Sequence, residues 1–336
     1  MKQLKFYILL VSAVALLTGC LDVEIQHSPV IAKSTETVTY TATVKQDGEG
    51  PCDVDIYVNG ALVRTCSGLV TGDTCTFSGG PYAGAWLANY RVVATDADGD
   101  TVDNGTYYFA ITDAGYNWLA DWIPARWMGD TAAHEDLVFH KATDYASFAS
   151  FVDDVEDKMY DVYNKQDIIS RTQNLDKFNF YVYSKNASSS GCGTVHADAD
   201  VDMPWRDDDA VLHTSTIGDC TNSGLTHFSA EGHNTKAFLH ESGHAVFGLA
   251  DEYDWCATHY FESPVEPNIF STEARCRAEQ TAKGRDPDAC FRFTACQGGW
   301  WGIHDMTIDT VMQWGMVGNP WGIEAAERVE WVFDQY

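Results

Sequence analysis

The chain has 336 residues and a formal net charge of −28, with 45% hydrophobic and 13% aromatic residues. This length allows two domains with ordinary cores, and the apolar and aromatic fractions suit globular folding. Because so acidic a surface repels nucleic acid and anionic lipid headgroups, we expect no nucleic-acid partner.

The N-terminus carries the pattern of an export signal. Two lysines precede an apolar run at 6–17, which is shorter than the ~20 residues that a membrane-spanning helix needs. The run leads into the sequence LTGC, ending at Cys20, which is typical of a lipoprotein processing site. We expect a signal peptide over 1–19, an acylated Cys20 that anchors the protein to a membrane, and a lipidated linker over 20–27. Leucine rather than aspartate follows the cysteine, so the expected location is the cell envelope, at the outer membrane of a diderm host, facing the periplasm or the exterior.

Residues 28–112 show the pattern of a small antiparallel β-sandwich. Apolar and polar residues alternate there, and turn sequences such as Asn59-Gly60 and Asp98-Gly99 separate the alternating segments. The alternation predicts strands at 38–44, 54–58, 90–94 and 107–111. The pattern resembles a bacterial immunoglobulin-like domain, which implies a spacer between membrane and the rest of the chain, or a module that binds substrate or glycan.

The remaining residues, 114–336, alternate between helical and strand patterns. Apolar residues recur at three- and four-residue steps from 145 to 162, which predicts a helix of about five turns with Asp144 as its cap. Strands are predicted at 178–183 and 211–216. A segment at 225–231 leads into a further helix that begins at Asn234 or Thr235. A last helical pattern covers 323–333.

That second predicted helix contains the most informative motif in the chain. His240 and His244 lie four positions apart, so their imidazoles share one face of a helix and can converge on a single metal ion. Glu241 lies about 100° around the helix and can reach a water on that metal as a general base. Neutral imidazoles suit Zn²⁺, and a catalytic zinc keeps three protein ligands and one open position. The motif predicts a zinc-dependent hydrolase.

The third zinc ligand must come from elsewhere in the chain. Gly248 can adopt a positive φ and end the helix, which would bring Asp251 or Glu252 back toward the metal. We expect Asp251 to be the ligand; Glu252, with one more methylene of reach, is the close competitor. His259 or His304 would be preferred if the chain ran away from the site after the glycine.

The sequence from His240 to Tyr253, HESGHAVFGLADEY, resembles the signature of the IgA-peptidase family of zinc metallopeptidases, which is related to the metzincins. The resemblance implies an α/β catalytic domain over 114–336, with a twisted sheet, two long helices, a C-terminal helix, and a polypeptide substrate along an edge strand. It also implies a methionine turn beneath the metal, for which Met312 is the candidate. Tyr253 would either stabilise the oxyanion formed on the scissile carbonyl or pack under the helix end.

Nine cysteines besides Cys20 fit an oxidising compartment. Pairing of near neighbours predicts four disulfides and leaves Cys52 outside them. These pairs are Cys66 with Cys75, Cys192 with Cys220, Cys256 with Cys276 and Cys290 with Cys296.

Taken together, the sequence predicts a lipid-anchored zinc endopeptidase. The main alternative is a catalytically silent surface protein that binds or adheres and keeps the peptidase fold. Retention of Glu241 argues against it, because a structural zinc site does not need that carboxylate. A third hypothesis is a zinc hydrolase that acts on a bond outside proteins, such as a glycan-linked amide.

Overall fold

The structure is a computed structural model that describes residues 21–48, 50–84, 86–163, 175–188, 192–214, 218–252, 259–293, 299–303, 310–314 and 321–336. The chain divides between Ile111 and Thr112 into two compact units. β-structure predominates in the described residues, and helices are few. Within these ranges, no helix is long and apolar enough to cross a membrane. Cys20 lies outside the described residues, so the signal peptide and the lipid anchor stay predictions.

The first unit consists of antiparallel strands arranged in two sheets. One sheet has the order β1-β3-β6; the other has the order β2-β9-β7-β4-β5, with β8 paired to β7. The strands are β1 (Leu21–Ser28), β2 (Ala32–Lys33), β3 (Val38–Asp47), β4 (Cys52–Val58), β5 (Ala61–Leu69), β6 (Thr74–Gly79), β7 (Leu87–Thr95), β8 (Thr101–Asp103) and β9 (Tyr107–Thr112). Each of the four strands predicted from alternation lies within one of these elements.

Aromatic side chains join the two sheets of this unit. Tyr40 of β3 packs against Tyr90 of β7, with ring centroids 5.6 Å apart, and both are fully buried. The expected linker over 20–27 is wrong for residues 21–27, which form most of β1 and pair with β3. Leu21, Val23 and Ile25 alternate inward there and are buried, so burial of apolar surface draws this segment into the sheet.

The second unit combines strands and helices, and its first two strands precede the first helix, where the sequence predicted no strand. Its strands are β10 (Trp122–Arg126), β11 (Glu135–Ala142), β12 (Phe178–Ala187), β13 (Asp208–His213), β14 (Cys220–Thr221), β15 (His227–Glu231), β16 (Phe291–Arg292) and β17 (Trp301–Gly302). Its helices are α1 (Phe148–Glu156), α2 (Ala199–Asp202), α3 (Thr235–Ala245), α4 (Glu273–Ala282), α5 (Val311–Trp314) and α6 (Ile323–Phe333). A π-helical segment, Asp157–Val162, continues α1, and 3₁₀ turns lie at Leu175–Lys177 and Pro287–Ala289.

A six-stranded mixed sheet organises this unit, in the order β10-β12-β11-β13-β15-β14. The four inner strands are parallel to one another, and both edge strands are antiparallel to their neighbours. Phe238 of α3 packs on one face of the sheet, where it contacts Phe139 and Phe228. Met203 and Trp205 cover the other face, against Val138 and the tyrosines of β12. The sheet therefore has apolar side chains packed on both faces.

The first helix of this unit begins later than the sequence predicted. Its cap is Ser147, whose hydroxyl accepts from the backbone N–H of Ser150 at 3.0 Å, so the prediction of Asp144 as the cap is wrong. Asp144 instead accepts from the backbone N–H and the hydroxyl of Thr214, just beyond β13. A tertiary contact with the neighbouring strand thus takes the carboxylate away from the helix end. The strand predicted at 211–216 also begins earlier, at Asp208, and ends at His213.

The predicted disulfides are partly confirmed. Cys66 is bonded to Cys75, joining β5 to β6, and Cys192 is bonded to Cys220. Cys276 of α4 is bonded to Cys290, so the predicted pairs of Cys276 with Cys256 and of Cys290 with Cys296 are wrong. The turn after α4 brings Cys290 back to the helix, with a Cα–Cα distance of 6.1 Å to Cys276. Cys256 and Cys296 lie outside the described residues, and Cys52 is a buried thiol on β4.

Candidate metal centre

Helix α3 begins where the sequence predicted. Asn234 is its cap, and the Asn234 side chain accepts from the backbone N–H of Ala237 at 3.1 Å. Phe238 fixes the helix on the sheet, and His240 lies two residues further, about 200° around the helix. Every residue from Phe238 to the end of α3 is buried. The motif residues are therefore held on a short helix that packs against its surroundings on more than one side.

The two histidines of the motif converge. Their ring centroids are 4.8 Å apart. Nδ1 of His240 lies 3.0 Å from the carbonyl oxygen of Val311, and Nδ1 of His244 lies 2.7 Å from that of Leu249. A carbonyl oxygen only accepts, so each Nδ1 must carry the proton, and each neutral ring presents an unprotonated Nε2. This is the tautomer in which imidazole binds a metal through Nε2.

Gly248 ends the helical region and turns the chain back, with φ +61°. Its N–H donates to the carbonyl of His244, and the N–H of Leu249 donates to that of Gly243, as is typical of a glycine C-cap. Asp251 follows, with Oδ1 at 3.3 Å from Nε2 of His240 and 3.2 Å from Nε2 of His244. The predicted return of the chain after this glycine is what brings the carboxylate to the two rings.

These three side chains fit a bound cation. Oδ1 of Asp251 is buried without a hydrogen-bond partner and faces the two Nε2 atoms. Three atoms that each carry a lone pair repel one another at this distance unless a positive charge lies between them. Among the described residues, only His240, His244 and Asp251 form a group of three whose ligand atoms all lie within 4.8 Å of one another. Two imidazoles and one carboxylate are a donor set that suits Zn²⁺.

The charge state of Asp251 agrees with this role. Burial alone would raise the pKa of the carboxyl, but hydrogen bonds and positive charge from His240 and His244 hold the pKa of Asp251 well below its ordinary value when those rings are protonated. With neutral rings, as the Nδ1 contacts favour, a cation between the three side chains would have the same effect. The other oxygen, Oδ2, accepts from the backbone N–H of His259 at 3.1 Å, which fixes the orientation of the carboxylate. The backbone therefore orients the Asp251 carboxylate before any metal binds.

The competing ligands are placed differently. Both carboxylate oxygens of Glu252 are occupied by neutral donors: Oε1 accepts from Asn268 at 3.0 Å, and Oε2 accepts from Thr310 at 2.7 Å. The ring of His259 lies 4.6 Å from that of His244 but does not join the three-residue group, and its backbone pairs with that of Asp251. His304, and the proposed oxyanion residue Tyr253, lie outside the described residues.

Glu241 is held by a residue that sequence reasoning missed. Oε2 of Glu241 accepts from the hydroxyl of Thr221 at 2.7 Å, and the same hydroxyl lies 3.0 Å from the carbonyl oxygen of Glu241. Burial raises the pKa of Glu241. Thr221 belongs to a two-residue edge strand with no alternating pattern, so the only hint in the sequence was its neighbour Cys220, a predicted disulfide cysteine.

Met312 lies beneath the turn of α3 that carries His240 and His244. Met312 is fully buried and packs against Gly243, which lies between His240 and His244 in the sequence. The carbonyl of its neighbour Val311 orients His240, and its own carbonyl accepts from the backbone N–H of Glu252 at 3.0 Å. The segment around Met312 thus supports both the helix and the loop that carries Asp251.

No protein-family model and no curated protein matches this chain. Among solved structures, a bacterial immunoglobulin-like domain from the M. primoryensis ice-binding adhesin is 20% identical and covers 28% of this chain and 98% of its own length, with a TM-score of 0.21. The putative ApaA protein from Bordetella pertussis is 14% identical and covers 28% of this chain and 95% of its own length, with a TM-score of 0.19. These similarities are weak and partial, and nothing about the metal centre follows from them.

Proposed function

We propose that the chain is a zinc-dependent endopeptidase, secreted and anchored to the cell envelope through a lipid on Cys20. The observation that carries the proposal is the convergence of His240 Nε2, His244 Nε2 and Asp251 Oδ1, with the Glu241 carboxylate on the adjacent residue of the same helix. A structural zinc site needs no such carboxylate. The fourteen-residue signature resembling the IgA-peptidase family supports peptide bonds as the substrate.

The roles of the residues follow from their chemistry. A bound zinc ion supplies Lewis acidity, which polarises a carbonyl and lowers the pKa of water to about 7. His240, His244 and Asp251 would hold that ion. Glu241 takes a proton from the attacking water and delivers it to the leaving amine. Its burial keeps the carboxylate away from bulk solvent, which favours proton transfer within the site.

The surrounding fold is suitable for a polypeptide substrate. The mixed sheet ends in the short antiparallel strand β14, which contacts α3. An extended peptide can add to an exposed strand edge through main-chain hydrogen bonds, which places few demands on its sequence. Within the same proposal, the sheet with α1, α3 and α6 forms a metzincin-like catalytic domain, Met312 is the methionine turn, and Tyr253 stabilises the oxyanion.

The proposal is tested on the full chain purified in detergent, as wild type, Glu241→Gln and His240→Ala. We expect one zinc per chain in wild type and in Glu241→Gln by elemental mass spectrometry, and none in His240→Ala. A peptide-library digest read by mass spectrometry should show cleavage by wild type, reduced by about 10²- to 10⁴-fold in Glu241→Gln. Glu273→Gln, an exposed change on α4, is the matched control.

Three outcomes would contradict the proposal. Equal digestion by wild type and Glu241→Gln would show that the carboxylate does no chemistry. Zinc binding without any digestion by wild type would instead support the silent binding or adhesion protein, and cleavage of a glycan-linked amide alone would support the third hypothesis.

A further inference from the structure

We propose that Thr221 is a positioning residue for Glu241, holding its carboxylate in the orientation that proton transfer requires. The inference rests on the proposed function, because it assigns a role within the same site. Thr221 comes from an edge strand, 20 residues before the glutamate in sequence, and its hydroxyl reaches Glu241 Oε2 at 2.7 Å.

The chemistry of the contact gives it a direction. A threonine hydroxyl has one hydrogen to donate, and both groups that it meets on Glu241, the carboxylate Oε2 and the carbonyl oxygen, are acceptors. The hydroxyl therefore acts as a donor to Glu241. Donation to one carboxylate oxygen leaves the lone pairs of the other oxygen free to take a proton from water.

The hydroxyl itself is fixed by the sheet. Thr221 is buried and pairs with Phe228 of β15, while its neighbour Cys220 pairs with Ser229 and is bonded to Cys192. Threonine is also branched at Cβ, so few rotamers are open to it. The backbone position of Thr221 is therefore set by strand pairing and a disulfide, both of which lie outside α3.

Without this contact the glutamate would have more freedom. A glutamate side chain has several rotatable bonds, and only some of its rotamers point the carboxylate at a water between His240, His244 and Asp251. A contact that selects among rotamers raises the turnover number while changing substrate binding little. This separates positioning from a purely structural role, which would change stability or metal content.

The test compares Thr221→Val, which keeps the shape and removes the hydroxyl, with Thr221→Ser, which keeps the hydroxyl. We expect Thr221→Val to bind one zinc per chain, to keep a KM near that of wild type, and to lose about 10- to 100-fold in kcat. Thr221→Ser should recover most of that loss. Thr214→Val is the matched control, because it removes a similar hydroxyl bond, 2.9 Å to Oδ2 of Asp144, elsewhere in the unit.

A readout that does not depend on turnover accompanies the kinetics. A crystal structure of Thr221→Val should show the Glu241 carboxylate displaced or in more than one rotamer, with the three proposed ligands unmoved. Wild-type kcat in Thr221→Val, or an unmoved Glu241, would overturn the inference. So would loss of zinc in Thr221→Val or failure of Thr221→Ser to recover activity, because either would mark a structural role. If wild type itself cleaves nothing, the proposed function fails, and the crystal structure still decides whether Thr221 positions Glu241.

Discussion

Met312 and Gly243 are in direct contact beneath the candidate metal site, and a Cβ on Gly243 would overlap the Sδ atom of Met312. Gly243 is the residue between Ser242 and His244, so the contact lies on the turn of α3 that carries both imidazoles. Trp321 also lies within 3.4 Å of that Cβ position. The helix can therefore approach this segment closely only because residue 243 has no side chain.

Gly243→Ala should destabilise the second unit despite the better helix propensity of alanine. Overpacking of a buried contact costs about 1–3 kcal/mol, and the propensity gain offsets about 1 kcal/mol of it. We expect a net loss of about 1 kcal/mol in the free energy of unfolding, measured by urea denaturation. In a Met312→Ala background the same change should be stabilising, because the overlap is gone. Gly218→Ala, where a Cβ meets nothing within 4 Å, is the control; a loss of equal size there would contradict the packing argument.

Asp251→Asn should weaken zinc binding, whereas Glu252→Gln should lower the stability of the fold and keep the zinc. Asp251 faces the two imidazoles, so the Asp251→Asn variant, with a neutral amide in this place, should bind zinc at least about 100-fold more weakly. That factor is the upper end of the range for mutations of residues that only hydrogen-bond to a metal ligand. The carboxylate of Glu252 accepts hydrogen bonds from Asn268 and Thr310, and the Glu252→Gln variant can keep only part of this acceptance. We expect that variant to keep the zinc and to lose about 1–3 kcal/mol in the free energy of unfolding. Chelator competition and chemical denaturation measure the two quantities. Loss of zinc in Glu252→Gln, with retention in Asp251→Asn, would make Glu252 the ligand.

The buried carboxyl of Asp136 should make folding depend on pH. Burial, with a smaller contribution from the charge of Asp207, raises the pKa of Asp136 to about 7 in the folded chain. The folded state then binds more protons than the unfolded state, so the stability from this group is present below pH 4 and is lost as the pH rises through 7. Relative to wild type, Asp136→Asn should gain about 2 kcal/mol in the free energy of unfolding between pH 5 and pH 8. Denaturation curves at both pH values measure the gain.

A control for this pH effect is Val201→Ala, since Val201 is exposed on the same unit and neither side chain titrates. The difference in the free energy of unfolding between this control and wild type should be the same at pH 5 and at pH 8. A difference between Asp136→Asn and wild type that stays constant from pH 5 to pH 8 would show that Asp136 does not titrate in this range.

The bond between Cys276 and Cys290 should appear directly in a non-reducing peptide map, as one linked pair of peptides. The sequence separation is 14 residues, and closing a loop of this length stabilises a folded chain by about 3 kcal/mol. The double change Cys276→Ser with Cys290→Ser should lower the free energy of unfolding by about that amount. A peptide map that links Cys276 to Cys256 would contradict the bond to Cys290 and support the pair predicted from the sequence.

Features with a local cause could be predicted from the sequence. The pairing of His240 with His244 on one face follows from the pitch of a helix, and Asn234 and Gly248 define its start and the turn after it through their own backbone preferences. The alternation in the first unit predicted strands because successive side chains of a strand face opposite sides. The C-terminal helix was predicted at Ile323–Phe333, the bounds that the structure shows.

Features that depend on long-range contacts were missed or mistaken. Asp144 and Ser147 are both good caps locally, and the bond from Thr214, 70 residues away, decides between them. The residues after Cys20 read as a linker, but the partner strand β3 makes them a strand. Cys290 had a nearer neighbour in sequence than Cys276, and the turn after α4 decides which one it meets.

The amino-acid sequence by itself determined the helix that carries the two imidazoles and the carboxylate beside them, because that geometry needs only the pitch of a helix. Only the tertiary structure decided which of two adjacent carboxylates faces the rings and which hydroxyl holds Glu241. Asp251 and Glu252 are chemically almost equivalent, and their roles are separated by Asn268 and Thr310, which the fold brings to one of them. Thr221 acquires its role because strand pairing and a disulfide bring the sheet edge to the helix.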